Sequence, residues 1–396
     1  MIPDSAMLPG LALICVLIWL VLLFGRGGFW RCRERDSQWS LQLPDGQDWP
    51  EVVVIVPARD EASVIERSIA ALLVQDYPGP FRIILVDDAS GDGTGALAEA
   101  LARRQGCADR LTILRNEQLP ADWTGKLWAM TKGFAAANAE PSPPDFVLFC
   151  DADIALVPDT LRALVVKART EEQVLVSLMA RLSVETPAEK ALIPAFIYFF
   201  AKLYPFAWVN NPQSPVAAAA GGCMLVDRQA LVRAKGFETI RGSIIDDCAL
   251  GRLMKGHGAI TLALTERARS LRVYAGIAPI RRMVTRSAYA ELKYSPIRLV
   301  LALLGLALTY LAPPLLALFA NGLPGWLGLV VCIGMMLSFI PILRFYGLSP
   351  LRAVALPLVA VIYGIFTVES ALLFWRGKGG AWKGRYQASP RTNRPA

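Results

Sequence analysis

Near its start the chain carries an unbroken apolar run, Met7 to Phe24, of about 18 residues, just long enough to span a bilayer. A polar stretch, Ser37 to Trp49, follows, and beyond it short apolar runs alternate with helical patterns. Val52–Val56, Ile83–Val86, Leu111–Leu114 and Phe146–Cys150 read as strands. Phe146–Cys150 has no polar alternation, which suits a strand covered on both faces. Between the strands, Ile65, Ile69, Leu72 and Leu73 mark one helix face, Leu97 and Leu101 a second, and Leu127 to Ala137 a third helix. This alternation predicts right-handed crossovers and an α/β fold with a parallel, doubly wound sheet. Ligands of such sheets bind beyond the carboxyl ends of the strands, so chemistry is expected just after each one.

Later segments change character. Ala188 to Val209 is rich in aromatics (Phe196, Tyr198, Phe199, Phe200, Tyr204, Phe206 and Trp208) but is interrupted by Pro194, Lys202 and Pro205. That mixture predicts a helix lying in a membrane interface, with a buried core helix as the alternative. Ile297–Phe319, Leu323–Leu343 and Leu351–Trp375 are each long enough to cross a bilayer. Arg26, Arg31, Arg33 and Arg35 follow the first run, whereas only Asp4 precedes it, which puts the next domain on the cytoplasmic side. The charge lies on the wrong flank for a cleaved signal peptide, so the run reads as a retained anchor. Three further crossings would leave the basic tail outside, against the same charge rule; Pro313-Pro314 and Pro357 are the candidate break points for a segment that does not cross. The expected organisation is an anchor at 1–25, a basic and polar linker at 26–49, a cytosolic domain at 50–290, membrane segments at 297–375 and a basic tail at 376–396.

Composition agrees with membrane segments: hydrophobic residues are 54% and mean hydropathy is +0.41. The 41 Lys+Arg against 33 Asp+Glu give +8, and much of the excess flanks apolar segments, which suits topology and anionic lipid contact. No basic, aromatic-laced recognition helix is present, so nucleic acid is excluded as a partner. Seven scattered cysteines without a Cys-x-x-Cys pair indicate neither a zinc cluster nor a disulfide framework. His257, the only histidine, sits between Gly256 and Gly258 and reads as a solvated turn residue.

The candidate chemistry lies at the strand ends. Asp151 and Asp153 follow Phe146–Cys150 two residues apart, a spacing that in extended chain puts both carboxylates on one side. Such a pair can hold a divalent cation against a diphosphate, although the triplet is also common on surface turns. Pro57-Ala58-Arg59-Asp60-Glu61 follows the first strand and Asp87-Asp88-Ala89-Ser90 the second, where a carboxylate can accept from a base or ribose. Asp92 to Thr94 reads as a helix start. No Gly-x-Gly-x-x-Gly or Walker-type loop is present, which removes a dinucleotide or phosphate-cradle reading. Gly125-Lys126 opens a helix where a lysine and free amides can meet phosphate, unless the lysine is merely solvated. Asp246-Asp247 suits either a helix cap or a general base at a cleft. Ala217 to Gly222, all small, either leaves room for an acceptor or packs tightly. Arg281, Arg282 and Arg286 suit a diphosphate or a membrane surface equally. Glu369, inside the last apolar segment, is expected to face protein or water.

In their order, Pro57 to Glu61, Val86-Asp87-Asp88-Ala89-Ser90, Gly125-Lys126, Asp151-Ala152-Asp153 and Asp246-Asp247 resemble the family 2 glycosyltransferases with the GT-A fold, over Glu51 to Tyr289. The resemblance implies that Pro57, Ala58, Arg59, Glu61, Asp87, Asp88 and Asp151 line a nucleotide-sugar site, with Lys126 and Arg282 on the diphosphate. It implies Mn2+ or Mg2+ on Asp151 and Asp153. It also implies Asp247 as base; Asp246 stands where the family carries Glu, which leaves the choice between the two acids open. Anchor, domain and membrane segments, with Trp382-Lys383-Gly384-Arg385 after them, look like the hopene-associated glycosyltransferases, with ceramide glucosyltransferases as more distant relatives. The Gln-x-x-Arg-Trp motif of processive synthases is absent, and Ile280 to Arg286 lies about where it would be, which favours a single sugar transfer. The expectation is therefore a multi-pass enzyme of a bacterial-type inner membrane, its catalytic domain cytoplasmic, taking a nucleotide-sugar donor and a membrane lipid acceptor such as a hopanoid. The alternatives are a polyprenyl-phosphate glycosyltransferase and a catalytically silent membrane scaffold.

Overall fold

Runs of valine and isoleucine, stiff at the first side-chain torsion, favour extended backbone and here build the centre of an eight-stranded sheet. The structure, a computed structural model, describes residues 7–116 and 118–388; Asp4 and the end of the basic tail, 389–396, lie outside the described residues. The strands are β1 Val52–Ala58, β2 Phe81–Asp87, β3 Leu111–Arg115, β4 Phe146–Cys150, β5 Ile154–Leu156, β6 Gln173–Arg181, β7 Cys223–Asp227 and β8 Ala259–Ser270. Their order is β3-β2-β1-β4-β7-β6-β8-β5. β1 to β4 run parallel as expected, and β6 is parallel to β8. β7 pairs antiparallel with both β4 and β6, and β5 antiparallel with β8, so the sheet is mixed. Pro57, unusual in a central strand, is tolerated because the β1–β4 ladder stops at Ile55.

The chain divides into two units. One holds 34–183 and 208–273, the sheet; the other holds 7–33, 184–207 and 274–388, and is helical. The boundary differs from the expected 50–290 at both ends. Arg35 bridges to Leu264, and the buried Asp36 accepts from Thr265 and pairs with Arg267 at 3.3 Å, so the second half of the polar linker belongs to the sheet unit.

Within the sheet unit the predicted helix faces are buried: Ile65, Ile69, Leu72 and Leu73 on Ile65–Leu73, and Leu101 on Thr94–Arg104. Glycines set two close approaches. A Cβ on Gly133, in the helix Gly125–Asn138, would sit 2.5 Å from Ile55 Cγ2 of β1. A Cβ on Gly251, in the helix Asp246–Lys255, would meet the Ala218 and Ala219 backbone at 2.6 and 2.9 Å. Ala217 to Ala220 are all buried, so this part of the small-residue run is tight packing.

In the helical unit, four helices are long and apolar enough to cross a membrane: Met7–Phe24, Pro296–Phe319, Leu323–Phe345 and Pro350–Trp375. Pro313 cannot donate to Thr309, four residues back. The helix responds with a π segment, Ala307–Leu311, and the Thr309 carbonyl accepts instead from the buried Trp19 Nε1 at 2.8 Å. Pro357 causes no break, because it stands in the first turn of Leu356–Trp375. The aromatic segment expected along an interface forms the helix Pro187–Leu203, which buries Leu192, Ile193, Ile197 and Tyr198. Tyr198 and Ser338 hydroxyls share a hydrogen bond of 2.7 Å, and Tyr363 donates to the Leu192 carbonyl at 2.9 Å. Glu369 pairs with Arg281 at 3.3 Å, which gives the acid its polar partner. Trp382-Lys383-Gly384-Arg385 forms the turn of a short hairpin, with positive φ at Lys383 and Gly384 as a two-residue hairpin loop requires.

Gly251→Ala should lower the thermal midpoint of the purified protein, since inserting a methyl against backbone costs about 1–3 kcal/mol. An unchanged midpoint in differential scanning fluorimetry would show that this helix has room the packing denies.

Candidate active site

Three strand ends and two helix starts converge within the sheet unit. Lys126, in the first turn of Gly125–Asn138, has its Nζ 2.8 Å from Asp151 Oδ1 and 2.9 Å from Asp246 Oδ2. Its side chain is 13% exposed, Asp246's 9% and Asp151's 31%, so one ammonium serves two carboxylates in largely dry surroundings. Asp247 is oriented by backbone amides: Gly221 N donates to Oδ2 at 2.9 Å and Cys248 N to Oδ1 at 2.7 Å. Gly221 is needed there, because a Cβ would lie 2.9 Å from Lys126 Nζ and 3.4 Å from Asp247 Oδ2.

The charges follow from this geometry. Burial raises the Asp151 carboxyl to about 6 from its ordinary 3.8; Lys126 opposes the rise, while Asp153 and Asp246 add to it. Burial and the neighbouring Asp246 charge also raise Asp247, against Lys126 and the two amides. Burial alone would lower Lys126, but Asp151 and Asp246 carry it well above the usual lysine range.

Asp151 and Asp153 do not lie along one face of a strand. β4 ends at Cys150, the Ile154 amide turns back to the Asp151 carbonyl at 3.1 Å, and the two carboxylates find different cations. Asp153 Oδ2 accepts from Arg272 Nε at 2.8 Å, and Arg272 Nη2 reaches both oxygens of the buried Glu61 at 3.0 Å. Asp87 and Asp88 also diverge, which relieves the repulsion of adjacent acids. Asp87 Oδ1 accepts from Ser90 N at 2.9 Å. The buried Asp88 accepts from Asn116 Nδ2 at 2.8 Å and lies 3.6 Å from Arg59 Nη1. Pro57 and Ala58 lie in buried β1, and the Ala58 carbonyl accepts from Asp88 N at 2.8 Å.

The loops after β1 and β2 are fastened together: Asp60 N donates to Ser90 Oγ, Glu61 N to Thr94 Oγ1 and Ala62 N to Asp92 Oδ2. Asp92 also accepts from Thr94 N at the helix start, as expected. His257 is exposed in its turn, and Arg282 is exposed on the helix Ile277–Glu291 of the helical unit. Sequence reasoning missed Asn116, Trp128 and Arg272, and read Gly221 only as part of a run of small residues. Trp128 Nε1 donates to Asn116 Oδ1 at 2.9 Å, which orients the amide toward Asp88. Asn116 directly follows β3, so the strand-end rule would have found it; Arg272 follows a strand whose pattern was not recognised.

The donor set bears on the metal. Among the described residues no three His, Cys, Asp or Glu side chains group as a metal site. Asp151 and Asp153 offer two hard carboxylates at the end of β4, each with one oxygen on a protein cation. Hard carboxylates of this kind are the ligands Mg2+ or Mn2+ takes, and two of them do not make a closed, all-protein site.

Residues 53–233 match the family model described as glycosyl transferase family 2. The chain is 30% identical over 145 residues to the probable glycosyltransferase YdaM of Bacillus subtilis, covering 35% of this chain and 32% of that protein. It is 27% identical over 152 residues to an N-acetylglucosaminyltransferase of Mesorhizobium japonicum, covering 37% and 32%. The chain thus spans about a third of the length of these curated relatives. A solved structure, mannosyltransferase PcManGT from Pyrobaculum calidifontis in complex with GDP-Man and Mn2+, aligns with a TM-score of 0.52 at 21% identity, covering 92% of this chain and 98% of that one. The sheet unit has the GT-A fold, and the matches support a family 2 glycosyltransferase. The matched segment holds Asp87, Asp88, Lys126, Asp151 and Asp153 but ends before Asp246 and Asp247.

Removing the shared cation should destabilise the site in a pH-dependent way. Because the folded-state value of Asp151 lies above 3.8, the folded protein retains that proton between about pH 4 and 6, and ionisation opposes folding as pH rises through this window. Lys126→Met should therefore lower the thermal midpoint more at pH 8 than at pH 5, by up to about 3 kcal/mol for an uncompensated, partly buried charge. Equal losses at both pH values would show that Lys126 does not balance these acids.

Proposed function

We propose that this chain is a metal-dependent, inverting family 2 hexosyltransferase that moves one sugar from a nucleotide-sugar donor to the hydroxyl of a membrane lipid, a hopanoid or related lipid being the expected acceptor. The observation that carries the reading is the single ammonium of Lys126 joining Asp151, at the end of β4, to Asp246, at a helix start. It brings the diphosphate end and the base end of a transfer site to one point. The family match over 53–233 and the GDP-Man and Mn2+ named for PcManGT support the donor class and the cation.

Asp247 is the favoured base: two amides aim its carboxylate, and its raised affinity for a proton suits deprotonation of an acceptor hydroxyl. Asp246 is committed to Lys126. Lys126 Nζ, displaced from its carboxylates by donor phosphates, holds the departing nucleoside diphosphate. Asp88, oriented by Asn116, accepts from base or ribose, while Arg272 fixes Asp153 and Glu61. Mn2+ or Mg2+ on Asp151 and Asp153 would supply neutralising charge to the diphosphate. Single displacement needs no enzyme nucleophile. The four long apolar helices support a multi-pass protein, and the arginines that follow the first of them favour a cytoplasmic sheet unit in an inner membrane.

The test is a screen of nucleotide-sugar hydrolysis and transfer, with and without Mn2+, on membranes containing candidate lipids. Asp247→Asn should cut transfer to a hydroxyl acceptor by about 10²–10⁴. Transfer spared by that change points instead to a polyprenyl phosphate, whose acceptor oxygen is already ionised. No donor binding in any metal condition points to a silent scaffold. The acid limb of the kcat/KM profile should lie above the ordinary carboxylate range, because Asp247 acts only when ionised and burial raises it. A limb at the ordinary carboxylate range would contradict Asp247 as the base.

A further inference from the structure

Between Pro296–Leu306 and Leu356–Trp375, beside the π segment Ala307–Leu311, lies an open cavity of about 530 Å³. That is within the roughly 300–1,000 Å³ range of small-ligand sites. Leu303, Leu306, Leu311, Val361 and Ile365 supply apolar wall, and Gly364 leaves space by carrying no side chain. The same helices expose Leu301, Leu304, Leu358 and Ile365 at 55–65%, an apolar outer surface suited to acyl chains.

The cavity wall is mostly apolar. Glu369 contributes the one charged side chain of its wall and lies 3.3 Å from Arg281 Nη2. Glu369 is only ~9 Å of helix rise from the helix end at Trp375, while Val361 and Ala360 lie at least two turns deeper. On the facing helix the apolar Leu303 is nearer the terminus, and Tyr310, whose hydroxyl accepts from Lys202 Nζ at 3.1 Å, lies deeper. Apolar walls with one ion pair near the helix end suit an amphiphile. The Glu369–Arg281 pair is neutral in sum and can both accept from and donate to a hydroxyl, whereas a phosphate would face the Glu369 carboxylate.

We propose that this cavity binds the apolar body of an uncharged, hydroxyl-bearing membrane lipid, with the hydroxyl at the Glu369–Arg281 pair. The cavity reading stands on the geometry of the helical unit and does not rest on the transferase reading.

The full-length protein would be reconstituted in phosphatidylcholine vesicles with a diacylglycerol bearing a photoactivatable chain, or with phosphatidic acid bearing the same chain. The diacylglycerol should label peptides containing residues 303–311 or 360–372. Gly364→Leu, which fills the space, should cut that labelling about tenfold, the effect of a modest steric loss of affinity. Gly364→Ala should retain it, because a Cβ there meets Leu306 Cδ1 at an ordinary 3.7 Å. Labelling unchanged in Gly364→Leu, or equal labelling by phosphatidic acid, would overturn the proposal. Donor hydrolysis measured on the wild-type protein in the same vesicles separates the two readings. Labelling without hydrolysis upholds the cavity and removes the transferase, and hydrolysis without labelling does the reverse.

Discussion

A single buried ammonium governs the arrangement of the sheet unit's acids. Lys126 stands between Asp151 and Asp246, and without it two carboxylates would face each other in surroundings too dry to screen them. The constraint reaches outward. Gly221 must lack a side chain so that Lys126 and Asp247 fit together, and its amide then holds Asp247. The alanines before it must be small so that Asp246–Lys255 can seat Gly251 on their backbone and present both acids. Chemistry at the rim thus depends on close packing behind it.

The remaining acids follow the same rule of local compensation. Asp153 and Glu61 share Arg272, Asp88 has Asn116 and Arg59, and Asp36 has Thr265 and Arg267. Each carboxylate that leaves water finds a donor, which is why so acidic a rim is compatible with a folded sheet. A diphosphate entering this rim would compete for Lys126 and Arg272 rather than meet bare charge.

In the helical unit the same accounting falls on backbone groups. Pro313 frees a carbonyl that lipid cannot satisfy, and the Trp19 indole answers it. The π turn that results widens the helix beside an apolar cavity, and Glu369 enters apolar surroundings only with Arg281 beside it.

Much of this was legible in the residues. Short apolar runs marked β1 to β4, the rule that ligands gather after strands pointed to Asp87, Asp88 and Asp151, and a helix start pointed to Lys126, because those signals are local in sequence. The partners of the aspartates and the two-part division were not legible. β7 and β8 are chosen by pairing with strands distant in the chain, and only that pairing brings Gly221, Arg272 and Asp36 into place. The turn at Ala152-Asp153, which sends two neighbouring acids to different cations, is likewise set by where Lys126 and Arg272 arrive. The sequence by itself determined which strands are buried, which helices are apolar enough for a membrane and which residues stand at the strand ends, because periodicity and burial are properties of neighbouring residues. Tertiary structure alone decided which charge meets which, because Coulomb energy at 3 Å depends on positions the chain reaches only after it has folded.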